Sequence, residues 1–457
     1  MIQIDHSLTP TDLTEGLDRM WRLSAKKILS IEESAKAGSH APVFTVNGKY
    51  QSRGWTEWTQ GFQFGSAILQ FDATGDDQFL EIGRRNTIEK MASHVTHIGV
   101  HDHGFNNIST YGNLRRLMLE GRIRHDQREL DLYELALKSS GAVQAARWST
   151  TIDGDGYIYS FNGPHSLFCD TIRSLRSLAI AHILGHQLMA ENDEPICLLG
   201  RLVQHARGTA RYNVYYGEGR DTYDIRGRVA HESIFNRNDG RYRCPNSQQG
   251  FSPFTTWTRG LAWVVVGFPE LLEFIATLDD GELATIGGRD EVESMMLTAA
   301  IATCDFYIDQ TPTNGIPYWD TGAPGLANIA DHQNRPADPF NNHEPVDSSA
   351  AAISAQGLLR LGRYLQSNGD SDNGDRYWQA GLTLMKTLLD EPYISNSDQH
   401  QGLLLHTIYH RPRGWDHIPD GCKIPNGESC MWGDYHLREA ALYMQRIQRE
   451  EKYYTFF

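Results

Sequence analysis

Two short stretches of the chain carry side chains whose types and spacing suit acid–base chemistry. The first reads His97-Ile98-Gly99-Val100-His101-Asp102-His103-Gly104-Phe105-Asn106. A carboxylate between two imidazoles and before a glycine has three readings. A metal site would want a helical H-x-x-x-H pair or neighbouring carboxylates, and neither is present. A helix cap with solvated histidines is the plain structural reading. An acid or base tuned by its neighbours is the catalytic one. The second stretch runs from Phe161 to Arg176 and holds Asp170 among Leu167, Phe168, Cys169 and Ile172. An aspartate on an apolar face is costly to ionise, so its pKa would rise toward what a general acid needs. If Asp170 instead caps the following helix, backbone N–H groups would lower that pKa. Both readings stand at the level of sequence.

A third group, His231, Gln248, Gln249, Trp257, Arg259 and Trp263, combines polar donors with aromatic rings. Arg259 and Trp263 are four apart and share one face of a helix. Arg can clamp a carboxylate and Trp can stack on a sugar ring, although each alone is more often a core residue. Trp55 and Trp58, in Gly54-Trp55-Thr56-Glu57-Trp58, raise the same choice. Ten Trp and twenty Tyr, many beside Gly and Asp in long links, favour a carbohydrate platform. G-x-S-x-G, P-loop and strand-linked G-x-G-x-x-G patterns are missing, and Asp153-Gly154-Asp155-Gly156 lacks the spaced ligands of a calcium loop. No metal and no cofactor is expected.

These residues need a scaffold, and the text between them is helical. Apolar residues recur at three- and four-residue steps over 11–36, 58–72, 77–93, 107–120, 127–140, 166–189, 192–208, 257–278, 288–309, 347–366, 373–389 and 432–450. Very little alternates as strand. Short Gly/Asp/Asn turns, such as Thr74-Gly75-Asp76 and Ser367-Asn368-Gly369-Asp370, alternate with long links rich in Gly, Pro, Tyr and His: 39–56, 97–106, 149–165, 210–256, 311–346 and 391–431. A toroid of helical hairpins has this rhythm, with short links on one face and long ones gathered on the other to build a site. No hydrophilic linker divides the 457 residues, so the expected organisation is a single domain over 1–457.

The formal net charge of -15 argues against nucleic acid and against an anionic membrane surface. No run of 18 apolar residues marks a membrane span. The six cysteines are scattered without metal spacing and read as buried free thiols. The opening MIQIDHSLTPTDL carries no signal-peptide pattern, so a cytoplasmic location is expected, or a periplasmic one if an export signal was removed.

Taken in order, the segments resemble glycoside hydrolase family 88, the unsaturated glucuronyl hydrolases, and more distantly family 105. The likeness runs through Trp58-Thr59-Gln60-Gly61-Phe62, Thr74-Gly75-Asp76, His101-Asp102-His103-Gly104-Phe105, Asp170, His231, Gln249-Gly250-Phe251, Trp257-Thr258-Arg259-Gly260-Leu261-Ala262-Trp263, Asp347-Ser348-Ser349-Ala350-Ala351 and Trp432-Gly433-Asp434-Tyr435. The resemblance implies an all-α (α/α)6 toroid, the six-hairpin barrel. It implies release of a 4,5-unsaturated uronic acid from lyase-generated oligosaccharides by hydration of the C4=C5 bond. Asp170 would protonate C4 and Asp102 would stabilise the cation or orient the substrate. His101, His231, Gln249, Trp58 and Trp263 would contact substrate, and Arg259 would either touch it or brace the pocket. A homodimer is compatible with this reading. The chain departs from the family pattern at His103, where the family has an apolar residue, and at Arg173 and Arg176, where it has Met, Asn or Leu. A more basic pocket is the expectation from these changes. Two alternatives follow: a glucuronidase or lyase acting on saturated uronides, and a sugar epimerase or non-catalytic carbohydrate-binding toroid. The epimerase would use His231 with His343 or His406.

Overall fold

The computed structural model describes residues 1–35, 41–53 and 57–457. Twelve principal helices are found among them: α1 (Thr14–Ala35), α2 (Gln60–Thr74), α3 (Asp77–Lys90), α4 (103–119), α5 (Gln127–Ala146), α6 (171–183), α7 (Leu198–Gly208), α8 (Thr258–Ile275), α9 (Arg289–Gln310), α10 (Ser348–Ser367), α11 (Ser371–Leu388) and α12 (Met431–Gln448). The even-numbered helices touch in sequence, α2 to α4, then α6, α8, α10, α12 and back to α2, which closes an inner ring. Each odd-numbered helix packs outside an even one, so the architecture is the expected toroid of six hairpins.

The inner and outer positions follow from composition. Helix α8 is buried from Thr258 to Leu272 without interruption, as an element covered on every side must be. The outer α1 buries only one stripe, and its other face reaches solvent. Short turns are set by caps: the Asp76 carboxylate accepts the Gln78 N–H at 3.0 Å, and Asp126 accepts from Arg128 and Glu129. One continuous apolar core runs from Ile2 to Phe456. Among the described residues, no helix is long and apolar enough to cross a membrane.

The expectation of little strand needs correction. Among the described residues nine short strands build small antiparallel sheets, most of them in the long links, while Ser166–Phe168, Leu188–Met189 and Pro195–Ile196 fall in stretches expected to be helical. The helix expected over 166–189 begins as a strand, Ser166–Phe168, in a three-stranded sheet with Glu232–Phe235 and Tyr242–Asn246. A short buried apolar run suits either element, and pairing with Glu232–Phe235 decides it. That sheet matters to the site, since the Cys169 N–H donates to the His231 carbonyl at 2.9 Å and fixes Asp170 beside the third segment. The cysteines also differ from expectation: Cys169, Cys304 and Cys430 are buried thiols, whereas Cys197, Cys244 and Cys422 are exposed.

Candidate active site

The long links converge on one face of the ring and border an open cavity of about 710 Å³, its mouth included. Trp58, Asp102, Phe105 and Trp263 line it from the ring, and His101 and Asp170 stand at its base. The links add Phe161, Gln248, Gln249, Tyr409, His410 and Trp415. Trp55, singled out beside Trp58, lies outside the described residues.

Asp102 and Asp170 each occupy the residue before a helix, the position at which Asp76 and Asp126 act as caps. Neither caps: no backbone N–H is bonded to either side chain there. Both carboxylates instead approach one imidazole nitrogen. His101 Nε2 lies 3.3 Å from Asp170 Oδ1 and 3.8 Å from Asp102 Oδ1. The 3.3 Å approach is long and poorly aligned for a hydrogen bond, and His101 Nδ1 is buried without a hydrogen-bond partner among the described residues.

The electrostatics divide the two acids. Burial pushes the Asp102 carboxyl above the ordinary aspartate value, the Asp170 charge adds to this, and His101 opposes it. Burial acts on Asp170 in the same direction. The His101 contact, with the charge of Arg259 behind it, more than reverses this, and Asp170 sits below the ordinary value. Its pKa therefore falls, as the cap reading anticipated, but the imidazole is the cause rather than helix N–H groups. Burial disfavours the charged form of His101, yet the two carboxylates outweigh it and raise its pKa. His101 therefore holds its proton more firmly than an ordinary histidine, between a carboxylate at Asp170 and a more basic carboxyl at Asp102.

The other expected site residues fall into two groups. Trp58, Trp263 and Gln249 face the cavity. Trp58 is backed by Trp432, ring centroids 5.0 Å apart and nearly parallel. Gln249 Oε1 accepts from Arg259 at 3.0 Å, which leaves its NH2 as a donor. His231 does not line the cavity. Its Nδ1 accepts the N–H of Gln248 at 3.0 Å and of Gln249 at 3.3 Å, and its ring packs on Phe168 and Trp257. Burial drops its pKa to about 4, so it is neutral with the proton on Nε2. Arg259 lines the cavity, yet its guanidinium bonds Asp347, Gln249 and the carbonyls of Ile408 and Tyr409, and it lies over the rings of Trp257 and Trp432. It joins three links. Asp347 and Asp434, carried by two of the sequence motifs, serve the same end. Asp347 caps α10 while holding Arg259, and Asp434 accepts from the backbone of Leu403 and Leu404.

Tyr409, His410, Trp415 and Phe161 were not singled out from the sequence. Their one signal is a clustering of aromatic and imidazole side chains in long links. Among the described residues, no group of three or more His, Cys, Asp and Glu side chains is disposed to hold a metal ion. His343 is exposed, His406 packs on Phe340 and Tyr393, and neither lines the cavity, so the paired bases of an epimerase are not assembled with His231.

Comparison with known proteins now bears on this geometry. No protein-family model matches the chain. Among curated proteins, the unsaturated glucuronyl hydrolase of Formosa agariphila is 23% identical over 399 residues, 86% of this chain and 80% of that protein. The unsaturated glucuronyl hydrolase of Bacillus sp. strain GL1 is 23% identical over 440 residues, 93% of this chain and 97% of its own length. Its crystal structure superposes with a TM-score of 0.68, covering 94% of this chain and 97% of that one. The chain is a relative of the unsaturated glucuronyl hydrolases. A third relative, the unsaturated chondroitin disaccharide hydrolase of Streptococcus agalactiae, is 21% identical over 446 residues, 95% of this chain and 92% of that protein. The unsaturated glucuronyl hydrolase structure from that organism gives a TM-score of 0.69 at 20% identity, over 98% of this chain and 94% of that one.

The departures from the pattern of the unsaturated glucuronyl hydrolases do not make the pocket more basic, which corrects the expectation. His103 points away from the cavity. Its Nε2 donates to the His97 carbonyl and its Nδ1 accepts from Ser140 Oγ, both at 3.0 Å. Burial lowers its pKa to about 4, so it carries no charge. Arg173 and Arg176 lie inside the ring among Glu270 and Glu439, which neutralise them.

Proposed function

We propose that the chain is a hydrolase that removes a 4,5-unsaturated uronic acid from the non-reducing end of lyase-generated oligosaccharides. One observation carries this reading: two aspartates at helix starts, neither used as a cap, meet across one buried imidazole in an aromatic-walled cavity.

The chemistry needs a proton at C4, a stabilised cation at C5 and a base for water. Asp170 is the group we assign to the proton. In the free protein it is a carboxylate, held low by His101. A uronate brings a further negative charge into the cavity, which raises the pKa of every acid there. We assign the supply of the proton to the His101 imidazole, 3.3 Å away, whose pKa the two carboxylates raise. Transfer to Asp170 and then to C4 leaves positive charge at C5, shared with the ring oxygen. Asp102, still close to His101, stabilises that charge. Water then adds at C5 and gives its proton to Asp170, which restores the acid. The resulting hemiketal opens and the rest of the oligosaccharide departs. Trp58 and Trp263 provide apolar walls, Gln249 donates to a sugar oxygen, and Arg259 holds the walls together rather than clamping substrate.

The test uses unsaturated uronyl disaccharides and their saturated counterparts. Loss of the ultraviolet absorbance of the C4=C5 bond is expected with the first. Cleavage of the saturated compounds alone would replace this reading with ordinary acid–base hydrolysis of a glucuronide.

A further inference from the structure

The two aspartates come from helices far apart in sequence, and something must set their spacing. The segment His101–Gly104 lies against the start of α6 with no side chain between them. A Cβ on Gly104 would stand 2.2 Å from the Ser174 carbonyl oxygen. At this contact Ser174 Oγ accepts the Gly104 N–H at 2.9 Å and donates to the His101 carbonyl at 2.7 Å. Gln144, from α5, donates its amide to the same His101 carbonyl at 2.8 Å and to Ser174 Oγ at 2.9 Å. Ser177 in turn holds the Gln144 carbonyl oxygen. Arg176 completes the junction by donating to the Gly104 carbonyl at 3.1 Å. All of these side chains are buried. Ser174 follows Asp170 by four residues, and its hydroxyl bonds the residues on either side of the Asp102–His103 pair.

We infer that Ser174, backed by Gln144, is a positioning residue that fixes Asp102 and His101 relative to Asp170. It touches no substrate. It acts by tying the backbone of His101 and Gly104 to the helix that Asp170 begins. This inference rests on the reading of Asp102 and Asp170 as the working acids. The hydroxyl is a suitable device here because it serves as donor and acceptor at once in a contact too close for a larger group.

The experiment compares wild type with Ser174→Ala on unsaturated uronyl disaccharides, alone and in an Asp102→Asn background. A small shift of reacting groups costs up to about 10²-fold in rate. The expected result is a fall in kcat of roughly tenfold with KM little changed, and less than about twofold further loss in the Asp102→Asn background, because both changes act through the same residue. Equal losses in both backgrounds, or wild-type kcat in Ser174→Ala, would overturn the inference. Gln144→Leu serves as a second variant should Ser174→Ala not fold, and the same pattern is expected of it. The third readout does not depend on activity: the imidazole titration of His101, followed by NMR. Loosening the junction is expected to bring it down toward the ordinary histidine value, and an unmoved titration would count against positioning. If wild type consumes no unsaturated disaccharide, the proposed function fails, and the His101 titration still decides whether Ser174 sets this geometry.

Discussion

Asp170 and Arg173 are one helical turn apart, both are buried, and they meet opposite fates. Asp170 has, among the described residues, one contact to an imidazole that is long and poorly aligned for a hydrogen bond. Arg173 is saturated: its guanidinium bonds both Glu270 oxygens at 2.9 and 3.0 Å, Glu439 at 2.5 Å, and the ring of His436. The same inner helix thus faces an open site at one end and a closed ion cluster a turn below. A buried polar group that is fully partnered is structural. One left open has been kept for something that binds. The difference separates the catalytic candidates from the basic residues that sequence alone had placed in the pocket.

The comparison is broken most sharply by Asp170→Asn. Loss of the acid is expected to lower turnover by about 10²–10⁴-fold. The His101 contact holds Asp170 below the ordinary carboxylate value, so removing its charge is expected to lower the melting temperature, but far less than removing a fully partnered buried charge does. Single-turnover kinetics and a thermal melt check both halves. A loss of stability as large as that of a broken buried ion pair would place Asp170 with the structural charges.

Arg173→Met is the converse change. It strands Glu270 and Glu439 without their main counter-ion, and removing one partner of a buried pair costs on the order of 3–5 kcal/mol. Denaturant unfolding measures it. Neutralising Glu270 in the same chain, as Arg173→Met with Glu270→Gln, should recover part of the loss. A variant as stable as wild type would show that the cluster carries no structural weight.

The sequence revealed more of the fold than of the contrast just drawn. Alternating short and long links foretold the toroid, because closure of helical hairpins puts all long links on one face. Asp102, Asp170, Trp58 and Gln249 were legible since their neighbours are unusual for surface turns. Their roles were not. An aspartate before a helix reads as a cap in both cases, and only coordinates show that Asp76 caps while Asp102 and Asp170 do not. Arg173 and Arg176 read as pocket charges because Glu270 and Glu439, which neutralise them, lie far away in the chain. His410 and Trp415 escaped notice for a similar reason, since no local periodicity ties a link near residue 410 to one near residue 100.

A third test moves to a buried carboxylate that is fully bonded yet strained by its charge. Asp320 accepts the N–H of Phe251 at 2.8 Å and of Gly322 at 2.9 Å and anchors the link that carries Gln248 and Gln249. Burial raises its pKa to about 6. The folded state therefore keeps its proton at a pH where the unfolded chain has lost it. Stability from this group is full below about pH 4, falls as pH rises toward 6, and is then constant. Two pKa units correspond to about 3 kcal/mol. Asp320→Asn removes this dependence but also one acceptor, so it is expected to be less stable than wild type at pH 4, with the gap narrowing by pH 7. Denaturation at the two pH values measures the gap, and a constant gap would show that Asp320 is ionised throughout.

The smallest effect is expected at His103, and it bears on specificity. As a charged pocket residue His103 would favour a sulfated or otherwise more anionic substrate. As the neutral tie seen here, between the His97 carbonyl and Ser140, it contributes only hydrogen bonds. Ser140 keeps a second partner in Asn107, and Arg147 still donates to the neighbouring Ile98 carbonyl. Replacement by an apolar residue, His103→Leu, is therefore expected to cost roughly 1 kcal/mol of stability. The ratio of kcat/KM for sulfated over unsulfated unsaturated disaccharides should stay the same, because an uncharged ring that points away from the cavity exerts no field on a sulfate. A shift in that ratio would return His103 to the pocket and make charge, rather than partnership, the better guide to which buried groups in this ring act on substrate.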